Sequence, residues 1–215
     1  MYTPDGELLW ENTDVEDTQM PCLMGKALYG MFMNTAEMYA LDLMTGRFLW
    51  KRKVAKNTGK VGDMVQGRSG VLVAGVDLAY DPQPIGTPSK RAIGVNASNG
   101  EELWSYTPVC FLWNIMALFP DQDSTVFMDL CGGVYRLNLY DGSEIWKHTG
   151  SLWSLTDGGA IFSTDGSSLF TCSNGPDTLA TMSKRDSQAG RLRKFRVSDG
   201  SLLWERVLPD ACINF

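Results

Sequence analysis

The chain has 215 residues, 44% of them hydrophobic and 20% charged, with a formal net charge of −6, the balance of a folded globular protein rather than a disordered one. That charge and a sequence pI near 4.8 exclude binding to nucleic acid by bulk electrostatics, because such affinity rests on phosphates neutralised by Lys and Arg. A single histidine, His148, excludes a multi-histidine metal site and leaves one residue to serve any Ser-His or Cys-His mechanism.

In chain order, Tyr2 to Glu11 reads as a strand pair around Asp5-Gly6 that ends in Leu9-Trp10-Glu11. Residues 12–51 hold an alternating run over Ala27–Met33, then apolar Leu41 and Leu43, then Thr45-Gly46 and Leu49-Trp50-Lys51. Residues 52–105 repeat this with Val71–Leu78, Val95 and Ala97, Asn99-Gly100 and Leu103-Trp104-Ser105. Residues 106–147 do so with Ser124–Leu130, Leu137 and Leu139, Asp141-Gly142 and Ile145-Trp146-Lys147. Residues 148–205 close the series with Ser168–Cys172, Phe195 and Val197, Asp199-Gly200 and Leu203-Trp204-Glu205.

Five of the seven tryptophans therefore follow a glycine by four residues, at spacings of 40, 54, 42 and 58. Asp-Gly and Asn-Gly pairs predict tight hairpin turns, and apolar residues at alternate positions before the glycine predict a strand. The residue before each tryptophan is apolar, which predicts that both faces of the strand are covered. A period of roughly 40–50 residues with four strands per unit is that of a β-propeller blade. The chain reads as all-β, a single domain over 1–215, with blades at about 12–51, 52–105, 106–147 and 148–205 and an orphan strand pair at 2–11.

The segment Ala40-x-Asp42-x-x-Thr45-Gly46-x-x-x-Trp50 resembles the PQQ repeat of quinoprotein alcohol dehydrogenase-like propellers. The unit around Gly142 and Trp146 is similar but has Arg136, Asn138 and Asp141 in place of Ala, Asp and Thr. Another keeps Gly94, Asn96, Gly100 and Trp104, and the last has Lys194 and Arg196 where a small residue and Asp are usual. The resemblance implies that Trp10, Trp50, Trp104, Trp146 and Trp204 dock between adjacent blades, with Gly6, Gly46, Gly100, Gly142 and Gly200 in the adjoining turns. It also implies rings of usually eight blades, so four blades and a strand pair read as an incomplete arc of a larger propeller in preference to a closed four-bladed ring. Missing blades would come from the same or another chain.

True dehydrogenases of this resemblance hold their quinone between a tryptophan and a disulfide of adjacent cysteines, with calcium nearby. This sequence has no Cys-Cys pair. The expectation is a non-catalytic domain that binds a protein or peptide, or serves a sensor, with a fragment of a PQQ-dependent alcohol or sugar dehydrogenase as the alternative. No catalytic, cofactor-binding or metal residue is assigned, and no cofactor is expected. Asp121-x-Asp123-x-Thr125 opens like a calcium loop, but Val126 stands where glycine is required and Gly132 where a bidentate glutamate belongs.

Insertions at 79–90 and 173–190 fall between the second and third strands of their blades, so both emerge on one side of the propeller. The second, with the strand after it, concentrates Lys184, Arg185, Arg191, Arg193, Lys194 and Arg196 on an otherwise acidic chain. Lys184, Arg185 and Arg191 are the candidate surface for an acidic partner.

Five scattered cysteines, Cys22, Cys110, Cys131, Cys172 and Cys212, read as buried thiols packing as small hydrophobes, with one disulfide as the alternative. The longest apolar run, Cys110 to Phe119, contains Asn114 and falls short of the roughly 20 residues that span a bilayer. The opening residues show no secretory signal, which leaves a cytosolic protein or a start lying elsewhere; the resemblance leans extracytoplasmic.

Overall fold

The computed structural model describes residues 1–15, 20–32, 35, 37–54, 64–77, 90–110, 112, 117–129, 131–150, 159–174, 190–209 and 212. Trp113, Trp153, Lys184, Arg185 and most of both insertions lie outside the described residues.

The first sheet is the meander β1 (Cys22–Met24), β2 (Ala27–Met31), β3 (Glu37–Asp42) and β4 (Phe48–Lys53). The second has the same order in β5 (Gln66–Arg68), β6 (Val71–Asp77), β7 (Lys90–Asn96) and β8 (Glu102–Tyr106). The third is β9 (Ser124–Met128), β10 (Val134–Asn138) and β11 (Glu144–His148), extended by a bridge from Leu118 to Val126. The fourth is β12 (Ala160–Phe162), β13 (Ser168–Asn174), β14 (Gly190–Arg196) and β15 (Leu202–Val207). All pairings are antiparallel, and Tyr2 and Leu8 bridge to form a hairpin ahead of the first sheet.

Period-two alternation decides how the sheets stack. In β6, Val71 and Val73 face the third sheet with Ala92, Trp104, Phe127, Tyr135 and Leu137. Leu72, Ala74 and Val76 face the first sheet with Met38, Ala40, Tyr29 and Ile93. A strand covered on both faces must be apolar throughout, and the Val-Leu-Val-Ala-Gly-Val run is its sequence trace. A third core, with Val126, Met128, Val134 and Trp146 against Leu169, Phe195 and Val197, joins the third and fourth sheets. Each sheet is a blade, and three apolar layers bind four blades into an arc. The chain is a partial β-propeller in which no strand of the fourth sheet pairs with the first, among the described residues.

Two local expectations are corrected. The glycine turns are wider than two-residue hairpins: the amides of Gly46, Gly100 and Gly142 donate to the carbonyls of Asp42, Asn96 and Asn138 four residues back. Each of these acids or amides also accepts backbone N–H groups inside the loop through its side chain. A register shift then follows in every third strand.

Nor is the outer strand covered on both faces. Leu9, Leu49, Leu103, Ile145 and Leu203, the residues before the five tryptophans, are between 42% and 57% exposed. Twisted blades that radiate from an axis diverge toward the rim, so a small side chain pointing back at the preceding blade finds no surface, whereas an indole pointing forward spans the gap. Among the described residues no helix is long and apolar enough to cross a membrane.

Replacing Trp146, which is 8% exposed, with alanine should cost about 3–5 kcal/mol, read as a lower urea midpoint. On the open face, Leu103→Ala should cost less than about 1 kcal/mol in the same measurement.

Candidate functional site

Residue by residue, the inter-blade contact is the same from turn to turn. The Nε1–H groups of Trp10, Trp50, Trp104 and Trp146 donate to the carbonyls of Leu43, Ala97, Leu139 and Val197 at 2.9, 2.9, 2.8 and 2.8 Å. Each acceptor lies three residues before the next unit's turn glycine, on which the indole rests. A Cβ at Gly142 would stand 2.7 Å from the Trp104 ring and one at Gly200 2.6 Å from Trp146. Gly142 also has φ near +69°, so both the turn and the ring's approach require glycine. On its own blade Trp104 lies across Gly94, its β7 partner.

Arg136 occupies the Gly94 position of the third blade and reaches over the same gap. Its Nη1 donates to the Val197 carbonyl at 2.8 Å, and its Nη2 pairs with Asp121 at 2.5 Å. Asp121 also accepts from the Asp123 amide and the Ser124 hydroxyl. Burial pulls the Asp121 carboxyl upward, but these donors and Arg136 hold it below the usual range. Both of its oxygens are engaged by neighbours within the chain.

A buried polar centre lies at the connection between β9 and β10. Asp129 is 2% exposed; one oxygen accepts the amides of Cys131 and Gly133, and the other accepts the Cys110 amide and the Tyr135 hydroxyl at 2.6 Å. Burial, then the Asp129 charge, pushes the Tyr135 phenol far up, and burial with the Glu144 hydrogen bond does the same to Tyr106. Cys110, Asp129 and Cys131 cluster within 4.8 Å, but the two sulfurs are bonded to one another and the carboxylate is saturated, so the group braces a junction rather than presenting ligands.

The cysteine expectation is corrected here. Cys110 joins Cys131 and Cys172 joins Cys212, each with Cα atoms 5.9 Å apart, which leaves Cys22 as the free thiol. That separation is ordinary for a disulfide. Sequence separations of 21 and 40 carry no pairing signal, because the partners meet through contacts between parts of the chain that are distant in sequence.

Among the described residues of the basic stretch, Arg191, Arg193 and Arg196 form ion pairs. Arg191 and Arg193 both bind Glu205 across the β14–β15 ladder, at 2.7 and 2.6 Å, and Arg196 pairs with Asp199 at 2.9 Å. Burial raises Glu205 but the two guanidiniums hold its carboxyl down, while Asp199 is held at about 2 by the Ser201 amide and hydroxyl and by Arg196. His148 packs edge-on against Phe195 at 5.0 Å, and burial and nearby Arg193 lower its pKa.

A sequence profile of the family described as outer membrane protein assembly factor BamB matches residues 72–213. The chain belongs to this family. No protein of curated function matches the sequence. Among solved structures, BamB from Moraxella catarrhalis superposes with a TM-score of 0.53 at 16% identity, over 86% of this chain and 60% of that one. Quinohemoprotein alcohol dehydrogenase ADHIIG from Pseudomonas putida gives 0.62 at 14% identity, over 91% of this chain and 35% of that one. The computationally designed Ika8 protein gives 0.61 at 13%, over 94% of this chain and 53% of that one. The chain thus spans three-fifths of that BamB and about half of Ika8. At these identities the neighbours establish the propeller fold alone.

Because His148 binds a proton less readily in the folded chain than in the unfolded one, its stability contribution is intact above the ordinary histidine pKa of about 6.5 and is lost as pH falls from there through the folded value. Ordinary carboxylate pKa values of about 4 lie below this window, so a His148→Asn variant should show a flatter melting temperature between about pH 7 and pH 5 than the parent. Reduction with dithiothreitol should lower the unfolding free energy by about 3 kcal/mol for the Cys110–Cys131 loop, and Cys110→Ser/Cys131→Ser should reproduce that share.

Proposed function

We propose that the chain is a non-catalytic propeller segment of the BamB-like family that binds a protein or peptide in an extracytoplasmic compartment. The observation that carries this reading is how the polar and apolar groups are distributed. Among the described residues the buried charged side chains, Asp129 and Arg193, are engaged by backbone, phenol or Glu205, and a carboxylate that already accepts four hydrogen bonds is poorly placed for acid-base work. The rim, by contrast, presents an exposed aliphatic side chain on each successive outer strand, a spacing suited to contact with another polypeptide.

Two disulfides among the described residues fit an oxidising environment. Neither joins adjacent cysteines, and Cys110 and Cys131 are buried, so this chain does not supply the vicinal disulfide against which quinoprotein dehydrogenases hold their cofactor. The BamB family's description as an assembly factor supports a role in contact with other proteins. Lys184 and Arg185, leading into the Glu205-anchored Arg191, are the basic part of the proposed partner surface.

Adding PQQ with calcium should leave both the absorbance of the quinone and the melting temperature of the protein unchanged; a thermal shift or a bound-quinone spectrum would favour the dehydrogenase fragment. In pull-down or surface-resonance binding to an acidic peptide, Lys184→Glu/Arg185→Glu should abolish the salt-sensitive part of the signal.

A further inference from the structure

We propose that the cleft between the third and fourth blades binds a carboxylate presented by a peptide, held by the Ser198 and Asp199 amides and the Arg196 guanidinium. The turns of the first three blades set the pattern. In each, the residue four before the turn glycine lends its side-chain oxygen to amides inside the turn. Asp42 Oδ1 accepts from Met44 and Thr45 at 3.0 and 2.8 Å, Asn96 Oδ1 from Ser98 at 2.9 Å, and Asn138 Oδ1 from Tyr140 and Asp141 at 2.8 and 3.3 Å. The fourth turn keeps the backbone of the others: the Gly200 amide donates to the Arg196 carbonyl, and the Arg196 amide to the Ser201 carbonyl, both at 2.9 Å. Its capping position, however, carries the guanidinium of Arg196, which has no acceptor to offer. The Ser198 and Asp199 amides therefore meet no protein acceptor among the described residues. They converge where an Oδ1 sits in the sister turns, and paired backbone N–H groups of this kind favour an anion.

The surroundings suit a carboxylate that arrives from outside. The turn opens on a cavity of about 480 Å³ between the two blades, lined among others by Arg136, Arg196, Ser198 and Leu203. Arg136 is fixed there by Asp121, Ser124 and the Val197 carbonyl. Arg196 is half-exposed and, among the described residues, its guanidinium bonds only to Asp199, at 2.9 Å. A guanidinium has five N–H groups, so donors remain for a second acceptor. The two acidic side chains nearby are already committed, Asp121 to Arg136 and Ser124, and Asp199 to Arg196 and the Ser201 amide, and neither caps the turn. A carboxylate has two oxygens to divide between the amides and the guanidinium, and charge-assisted bonds of both kinds are the stronger class. Leu203, 42% exposed on the outer strand, lies beside the cavity to meet an apolar neighbour of the acidic residue. Arg196 and Arg191 stand at opposite ends of β14, so this site is separate from the basic surface proposed above and rests on that reading only for the source of the carboxylate.

Proton–nitrogen amide spectra of the full chain, titrated with an acetylated and amidated Gly-Asp-Leu tripeptide, test this without any natural partner. The Ser198 and Asp199 amides should shift saturably, with a dissociation constant on the order of 1 mM. The Gly-Asn-Leu counterpart, and sodium chloride at matched ionic strength, should leave both amides in place. Arg196→Asn supplies the side-chain cap of the second and third blades and should abolish the shifts. Its melting temperature should equal or exceed the parent's, because the ion pair it removes is an exposed one. Unmoved amides, equal shifts from the Gly-Asn-Leu peptide or from chloride, undiminished binding by Arg196→Asn, or tighter binding of inorganic phosphate than of the acidic tripeptide overturns the proposal. Failure here leaves the role tested through Lys184 and Arg185 standing, and failure there leaves this site standing.

Discussion

One contact organises this protein: an indole thrown forward from the outer strand of one blade onto the turn glycine of the next, with its N–H bonded to a carbonyl three residues before that glycine. Apolar side chains alone would hold the blades near the axis, where the sheets lie close. At the rim the sheets separate, and a side chain long enough to cross must also find a polar partner for its N–H, since burying it unpaired costs about 1–3 kcal/mol. Trp104 and Trp146 meet both conditions. The glycine is the other half of the device, because a Cβ at Gly142 or Gly200 would collide with the ring.

The same divergence explains the exposed residue that precedes each tryptophan. Outer-strand residues alternate between a forward face, which the indole fills, and a backward face, which finds no surface at the diverging rim. Leu49, Leu103 and Ile145 are left in solvent by the geometry that makes the tryptophan necessary. Where the third blade replaces the small partner of its tryptophan with Arg136, the long side chain is carried over the gap to the next blade and to Asp121, so a departure from the repeat pattern becomes an additional cross-blade tie.

Much of the fold could be read from the sequence because its physics is local and repeats. Alternation in Val71–Asp77, the turn glycines and the glycine-to-tryptophan spacing depend on neighbours within one hairpin, and each recurs often enough to stand out. The buried polar centre could not be read that way. Asp129, Tyr135, Cys110 and Cys131 meet only because β9 and β10 pair and Cys110 lies against their connection, and nothing in the spacing of Cys110 and Cys131 marks the pair. The basic stretch shows the reverse: a cluster conspicuous in sequence is, at Arg191 and Arg193, paired with Glu205 on the neighbouring strand.

By itself the sequence determined an all-β repeat, its period, the recurring glycine and tryptophan positions and the absence of adjacent cysteines, because these follow from residue type and spacing along the chain. The tertiary structure decided which side chains are consumed and which remain: the disulfide partners, the saturation of Asp129, the Glu205 pairing of Arg191 and Arg193, and the open backward face at the rim. Those depend on what faces each residue from a different strand or blade, and the distance between blades is set by twist and radius rather than by any local pattern.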